Sequence, residues 1–488
     1  MAKKLLNSSV IINVIGGLLF IMGVLMLTSI GFSVYYKEDL MPILLSSGIT
    51  LTIGGGLRYF TRKSRDGEIK KRDGYLIVTM SWLCMAIFAT LPYLLSGAIP
   101  TLTNAFFESM SGLSTTGASI LDNIEELPKG ILFWRSMTQW LGGMGIIVLT
   151  VAILPMLGIG GMELFVAEAP GPTKDKIHPR IKETAKRLWI IYLALTITQT
   201  VILMFGGMNF FDAINHALTT NSTGGFSTKQ DSVAYFNSPF IEYVIVIFMF
   251  FSGTNFTLLY FMLKGKFKNI LKNDEFKWYL SAVIGLVLLL TPIVYFYTKS
   301  ESFHDSFRAV LFQVVSVITT TGFASANFAT WGPLASFVFF LLLFSGASAG
   351  STSGGIKIVR IVLLMKNGFL EFKRRLHPNA VIPVHLNKEP VSNTIIYNLL
   401  AFIFLYLFIY TIGSLLMTAF GVPLIESLST VATSLGNVGP GLGAYDPSHS
   451  FNAMPSASKW LLSFLMLFGR LELFTVALIL TPYYWKRN

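Results

Sequence analysis

Long apolar segments separated by short polar connections dominate the chain. A helix needs about 20 predominantly apolar residues to cross a bilayer. Runs of this kind lie near residues 10–35, 41–60, 75–97, 131–157, 188–207, 239–263, 278–298, 334–366, 393–420 and 459–484. No connection between them is long enough for a separate soluble domain. The pattern predicts an all-α polytopic membrane protein with about ten transmembrane helices.

Four half-length apolar segments lie among the long ones, and each leads into a Ser/Thr-rich stretch that ends in glycine. They cover residues 102–114, 210–222, 305–319 and 424–433 and are too short to cross a bilayer alone. The stretches are Ser114-Thr115-Thr116-Gly117, Ser222-Thr223-Gly224-Gly225, Thr319-Thr320-Thr321-Gly322 and Thr433-Ser434-Leu435-Gly436. Their recurrence predicts four re-entrant pore helices in four span–pore–span repeats related by a pseudo-fourfold axis.

The repeats divide the chain into five parts. Residues 1–72 are predicted to form two additional N-terminal transmembrane helices. The first pore repeat is 73–187, which includes a cytoplasmic connector, and the second is 188–276. The third repeat, 277–390, contains a predicted intramembrane gating loop, and 391–488 form the fourth.

The glycine stretches are the candidate functional residues. Non-helical backbone at membrane depth is tolerated only where it is buried in protein or lines a water-filled path. Four such stretches around one axis would supply a ring of carbonyl oxygens that replaces the hydration shell of a cation. The C-terminal ends of the short helices carry partial negative charge, which also favours a cation. The predicted ion-binding filter comprises Ser114, Thr115, Thr116, Gly117, Ser222, Thr223, Gly224, Gly225, Thr320, Thr321, Gly322, Phe323, Ser434, Leu435, Gly436 and Asn437.

A run of small residues interrupts the long apolar segment of the third repeat. Glycine costs about 1 kcal/mol relative to alanine inside a helix, so a run this rich in glycine disfavours an unbroken helix. A flexible loop at this place would lie below the filter, where a gate could act. The predicted gate comprises Gly346, Ala347, Ser348, Ala349, Gly350, Ser351, Thr352, Ser353, Gly354 and Gly355, together with Arg470 in the last span.

Arg470 lies near the middle of an apolar span, where an arginine costs roughly 2.5–3.5 kcal/mol to insert. One interpretation is a structural ion pair with an acidic side chain of a neighbouring helix. The other is a fixed positive charge at the pore that limits cation passage until it is displaced. Intramembrane charges are functional by default, so we favour the second interpretation.

Composition and charge indicate a membrane protein and predict its orientation. Hydrophobic residues make up 53% of the chain and charged residues 13%, and the formal net charge is +12. Lys and Arg concentrate at both termini and in the connections 61–74, 158–187, 264–277 and 366–390, which predicts a multi-pass membrane protein with both termini in the cytoplasm. The scattered basic residues predict contacts with anionic membrane lipids and no nucleic-acid partner.

Three local sequences resemble one family of membrane proteins. They are Ser222-Thr223-Gly224-Gly225-Phe226-Ser227-Thr228, the segment Phe468-Gly469-Arg470-Leu471-Glu472, and a connection from Pro170-Gly171-Pro172 through Asp175-Lys176-Ile177 to Pro179-Arg180. Together they resemble a TrkH-type potassium-translocating subunit of the Trk/Ktr/HKT superfamily, and the resemblance extends over essentially the whole chain.

This resemblance implies a pseudo-fourfold pore that selects potassium, the transported ion, without a covalently bound cofactor. Gly117, Gly225, Gly322 and Gly436 match the filter glycines of the family, and a glycine rather than a serine at 117 points to potassium over sodium. The fourth stretch departs most from the family pattern, with Ser434-Leu435 before its glycine. The resemblance also implies gating by residues 345–355 and Arg470, a homodimer, and a cytoplasmic nucleotide-binding regulatory ring of the TrkA type. It places the protein in the bacterial inner membrane.

The predicted function is potassium uptake through a gated, channel-like pore driven by membrane potential. The alternative is an ion-coupled secondary transporter that moves potassium with a proton or sodium. The repeats run in the same direction and Glu472 is the only obvious midplane carboxylate, which favours the pore. The chain has no Walker or zinc-protease motif, so the sequence does not predict an enzyme.

Overall fold

The computed structural model describes residues 6–62, 70–148, 177–299 and 302–486. Its α-helices are Ser8–Met26, Thr28–Tyr35, Met41–Phe60, Lys71–Ala89, Leu91–Leu95, Leu102–Leu113, Lys129–Val148, Ile177–Phe205, Phe210–Asn221, Pro239–Ser252, Phe256–Leu263, Phe267–Lys272, Asp274–Thr298, Phe303–Ile318, Pro333–Leu342, Ile358–Leu376, Asn393–Ala419, Leu424–Gly436, Ser456–Arg470, Phe474–Leu480 and Pro482–Trp485. Short 3₁₀ helices occupy Ser232–Phe236, Phe328–Thr330 and Gly443–Tyr445. The family-like connection 170–176 and the end of the predicted span 131–157 lie outside the described residues.

The described part of the chain is almost entirely helical. Its one sheet is a hairpin in which His385–Leu386 pairs antiparallel with Glu389–Pro390. By length and composition, five of its helical stretches can cross a membrane, or up to seven when each of two bent helix pairs counts as one span. These helices agree with a polytopic membrane fold.

Four half-length helices stand where the sequence pattern predicts short apolar segments. They are Leu102–Leu113, Phe210–Asn221, Phe303–Ile318 and Leu424–Gly436, and we number them first to fourth. Nearly every residue in the last turns of each is buried, so these helices form the centre of the protein. The second and third begin at side-chain caps, where Asn209 and Ser302 accept the N–H groups of Asp212 and Asp305.

Two of the predicted spans are bent in the structure. Pro239–Ser252 and Phe256–Leu263 meet at 108°, and Ser456–Arg470 and Phe474–Leu480 meet at 118°. At the first bend, the Asn255 side chain caps the new helix by accepting the N–H of Thr257. At the second, Glu472 and Leu473 have left-handed φ angles of +60° and +46°. The apolar runs 239–263 and 459–484 are therefore each divided between two helices, because hydropathy does not register such local caps and turns.

The third repeat contains the interruption that its glycine-rich run predicts. The helix Pro333–Leu342 ends before the run, and the next helix, Ile358–Leu376, begins after it. We call residues 345–355 the small-residue loop. The chain enters and leaves this loop side by side, because the Gly346 N–H donates to the Ile356 carbonyl at 2.9 Å.

Candidate functional site

A loop of the same conformation follows each half-length helix. Its first residue has a left-handed φ between +53° and +54°, and a left-handed glycine with φ between +79° and +111° stands two residues later. The left-handed pairs are Thr115 and Gly117, Thr223 and Gly225, Thr320 and Gly322, and Asn437 and Gly439. We call the four segments 115–117, 223–225, 320–322 and 437–439 the glycine loops. One backbone structure is thus repeated four times.

The fourth glycine loop lies three residues beyond its predicted position. Gly436 is the last residue of the fourth half-length helix, and Gly439 has the place that Gly117 has in the first loop. The alignment of Gly436 with the other three glycines is therefore wrong. It followed the Ser/Thr-rich composition of residues 433–434, which belong to the helix, whereas the repeated feature is a left-handed glycine. Of the predicted filter residues here, only Asn437 is part of the loop.

The four glycine loops contact one another in a closed ring. A Cβ atom built on each glycine would lie within 3.0 Å of a carbonyl oxygen of another loop. The contacts run from Gly117 to the Gly224 carbonyl, from Gly225 to Thr321, from Gly322 to Val438, and from Gly439 back to Thr116. Real Cβ atoms do not approach oxygen this closely, so glycine is required at all four positions both for this contact and for its left-handed φ.

The backbone donors of the glycine loops are satisfied by their own helices. The residue before each glycine donates its N–H to the carbonyl six positions before that glycine, at 2.8–3.0 Å. These bonds are Thr116 to Ser111, Gly224 to Thr219, Thr321 to Ser316, and Val438 to Thr433. Because these N–H groups are engaged by the helices, they do not compete with a cation for the carbonyl oxygens of the ring.

A cavity lies on one side of the ring and touches all four left-handed glycines, including Gly439 and not Gly436. Asp446 lines it, and its carboxylate accepts from the Asn327 amide at 2.8 Å and lies 2.7 Å from the His449 ring. Burial alone would raise the pKa of Asp446, but hydrogen bonds from Asn327 and His449 hold that pKa below its ordinary value. The Asp446 carboxylate therefore stays ionised and places a negative charge in the cavity, whose lining also includes Arg135 and Lys229.

The small-residue loop packs against the opposite side of the ring, where the half-length helices end. The Gly354 N–H donates to the Thr320 hydroxyl at 2.7 Å, and the Thr352 hydroxyl donates to the Asn221 carbonyl at 3.1 Å. A Cβ on Gly354 would also meet the Asn437 side chain. The predicted gate residues are thus brought against three of the four repeats.

Arg470 joins the small-residue loop to the first repeat. Its guanidinium donates to the Thr352 carbonyl at 2.8 Å and to the Gly142 carbonyl at 3.0 Å, and the residue is 2% exposed. Within the described residues no ion pair includes Arg470, and Glu472 pairs with Arg360 instead. Among the described residues, Arg470 therefore binds backbone carbonyls, and none of them supplies the acidic partner that the ion-pair interpretation requires.

Two further groups hold the small-residue loop and were missed by the sequence analysis. The Glu275 carboxylate accepts the Ala349 N–H at 2.6 Å, and the Lys357 ammonium donates to the carbonyls of Ser353 and Gly354. Both lie at the ends of helices beside apolar segments, where charged residues are common. Lys357, four residues after Ser353, carried only a weak sequence signal, and Glu275 carried none.

Comparison with known proteins gives one consistent result. Residues 41–486 match the family model described as TrkH: Cation transport protein. The chain is 42% identical over 441 residues to the Trk system potassium uptake protein TrkH of Escherichia coli (strain K12), which covers 90% of this chain and 91% of that protein. It is 39% identical over 481 residues to the protein of the same name from Halomonas elongata, covering 98% and 99%.

The fold agrees with this result. The crystal structure of the potassium transporter TrkH from Vibrio parahaemolyticus matches with a TM-score of 0.91 and 38% sequence identity, covering 98% of this chain and all of that one. Sequence and fold agree over nearly the full length, and the chain therefore belongs to the TrkH family of cation transport proteins.

Proposed function

We propose that this protein takes up potassium through a gated, channel-like pore whose axis passes through the ring of glycine loops. The closed ring of four loops is the observation that carries the proposal. The names of the E. coli and H. elongata relatives, which are potassium uptake proteins, support it. The membrane potential would supply about 2.3 kcal/mol per charge for each 100 mV.

The selectivity filter is proposed to consist of the backbone carbonyls of the four glycine loops. Carbonyls exchange for the hydration shell of potassium without fixed charge, so that the ion can also leave. The half-length helices end at the ring, and their C-terminal partial charges favour a cation there. In this proposal Gly439 takes the role that the sequence alone assigned to Gly436, and the protein is a transporter rather than an enzyme.

The small-residue loop is proposed to be the gate. Its contacts with Asn221, Thr320 and Asn437 close the ring on the side away from the cavity. Arg470 keeps it closed by binding the Thr352 carbonyl. Opening would break these hydrogen bonds and move Thr352 and Gly354 away from the axis.

The setting of the pore is also part of the proposal. The basic connections support an inner-membrane protein with both termini in the cytoplasm. The repeats would follow an N-terminal pair in 1–72, with divisions at 73–187, 188–276, 277–390 and 391–488. The protein would act as a homodimer on a cytoplasmic nucleotide-binding ring of the TrkA type, which moves the gate.

The competing proposal, an ion-coupled transporter, has less support. Such a carrier commonly needs a midplane carboxylate that exchanges its proton or ion during transport. Glu472 was the sequence candidate for this role, but its carboxylate pairs with Arg360. We therefore place it among the groups that stabilise the bend of the last span.

Purified protein reconstituted in liposomes tests the proposal directly. We expect potassium flux that follows the imposed voltage at constant pH and without sodium. Flux that requires a proton or sodium gradient would instead favour the coupled transporter. If the chain alone is silent and the cytoplasmic partner does not activate it, the pore proposal is wrong.

Replacement of Gly117 tests the ring. Gly117→Ser places a side chain at a φ of +84° and against the Gly224 carbonyl. This strain should displace the first glycine loop from the ring. We therefore expect the potassium-to-sodium permeability ratio, measured from reversal potentials, to fall by about tenfold. Gly97→Ser is the control, since Gly97 has a φ of +72° with open space around it. An unchanged ratio in folded Gly117→Ser protein would remove this loop from the filter.

Replacement of Gly439 tests the corrected position of the fourth loop. Gly439→Ala brings a methyl group to 2.7 Å from the Thr116 carbonyl at a φ of +111°. We expect a loss of potassium selectivity comparable to that of Gly117→Ser. Gly421→Ala, at a φ of +87° with no atom within 4 Å, should leave selectivity unchanged. Equal behaviour of the two alanine variants would argue against Gly439 as a ring residue.

Replacement of Arg470 tests the gate. Arg470→Ala removes the hydrogen bonds to Thr352 and Gly142, and we expect basal potassium flux to rise by about tenfold. Arg470→Lys, which keeps the charge and can keep one of the two bonds, should raise it less. Both proteins are checked for a single monodisperse peak. A folded Arg470→Ala protein with unchanged or lower flux would contradict the proposed role.

A further inference from the structure

We infer that Gln139, together with Arg135, is a positioning residue that holds the second glycine loop in the ring. This inference rests on the proposed function, because it concerns how the ring selects its ion. Both residues belong to the helix Lys129–Val148, one turn apart on the same face, and both are buried. They come from the first repeat and act on the second.

The first and third glycine loops carry their own braces. In each, the hydroxyl three residues before the left-handed glycine binds the hydroxyl one residue before it. Ser114 and Thr116 are 2.7 Å apart, and Thr319 and Thr321 are 2.8 Å apart. These hydroxyl pairs hold the first part of each loop against the end of its own half-length helix.

A second brace secures the outgoing side of the same two loops. The serine six residues before the glycine donates its hydroxyl to the carbonyl of the residue after the glycine. Ser111 binds the Ala118 carbonyl at 2.6 Å, and Ser316 binds the Phe323 carbonyl at 2.7 Å. Both sides of these loops are therefore fixed from within their own repeat.

The second loop has neither of these internal braces. Gly224 stands where the first and third loops have threonine, so no hydroxyl is present to bind Ser222. Thr219 stands where they have serine, and its hydroxyl donates to the Asn215 carbonyl of its own helix at 3.0 Å. This loop must be held from outside.

Gln139 supplies that support on both sides of Gly225. Its amide nitrogen donates to the Gly224 carbonyl at 2.7 Å, and its amide oxygen accepts the Phe226 N–H at 3.0 Å. A Cβ on Gly224 would lie within 3.0 Å of three atoms of this amide. The Gln139 side chain therefore occupies the space that a threonine side chain has in the first and third loops.

Arg135 extends the support one turn further along the helix. Its guanidinium donates to the Ser227 carbonyl at 2.9 Å and stacks over the Phe226 ring at 3.6 Å. It is also paired with Glu108 at 2.6 Å, and Glu108 accepts the Ile120 N–H at 3.0 Å. The buried pair thus fixes the outgoing segments of the first and second loops relative to each other.

A mutant cycle between Gln139 and Gly224 tests this assignment. Gln139→Ala removes the support, and Gly224→Thr forces a side chain against the Gln139 amide. Each should lower the potassium-to-sodium permeability ratio, by roughly tenfold. The φ of Gly224 is not left-handed, so threonine is compatible with its backbone. In the combined variant the new hydroxyl can bind Ser222, and the ratio should return to within about threefold of wild type.

Ser136→Ala is the matched control. Ser136 is buried on the same helix, and its hydroxyl donates to the Leu132 carbonyl of that helix. It should keep the wild-type ratio. The inference is overturned if Gln139→Ala keeps the wild-type ratio, or if the combined variant is as impaired as the two single losses together predict. A loss of flux with unchanged selectivity would also overturn it, because that result indicates a merely structural residue.

Melting temperatures of the wild-type protein, Gln139→Ala, Gly224→Thr and the combined variant separate this inference from the proposed function. If wild-type protein shows no selective potassium flux, the proposed function fails. The cycle is then decided by thermal unfolding in detergent. If the combined variant regains the melting temperature that each single variant loses, the result supports the exchange of Gln139 for a local brace. Additive losses contradict it.

Discussion

The helices of the protein are arranged around the close approach of four backbone loops. Each left-handed glycine lies against a carbonyl of another loop, with no space for a Cβ atom. The loops must therefore be held in place, and their polar backbone groups must be hydrogen-bonded, because unbonded polar backbone inside a membrane protein is costly. The half-length helices provide this rigidity, because they are buried at the centre and accept the loop N–H groups.

The fourfold symmetry of the backbone is maintained by different side chains in different repeats. Hydroxyl pairs brace the first and third loops, whereas Gln139 braces the second. In the fourth, the Asn437 amide donates to the Thr116 hydroxyl at 3.0 Å and so closes the ring onto the first loop. The four loops therefore share one backbone conformation, and different side chains can stabilise it in different repeats. This freedom explains why the loop sequences differ so much.

The sequence predicted the half-length helices, the first three loops and the break at 345–355, because each has a local signal in hydropathy or glycine content. It misplaced the fourth loop, since the hydroxyl residues near Gly436 resemble the other stretches while the left-handed conformation belongs to Gly439. The Gln139 support joins residues 85 positions apart, which no local pattern reveals. The number of spans, the repeat boundaries and the orientation in the membrane remain predictions.

Anomalous diffraction from crystals grown in rubidium would show whether the ring surrounds the path of a cation. Rubidium replaces potassium closely and scatters anomalously, so its position can be located without a prior assumption about the site. We expect a peak on the axis bounded by Gly117, Gly225, Gly322 and Gly439. Ordered rubidium elsewhere in the protein, with none within the ring, would contradict the account.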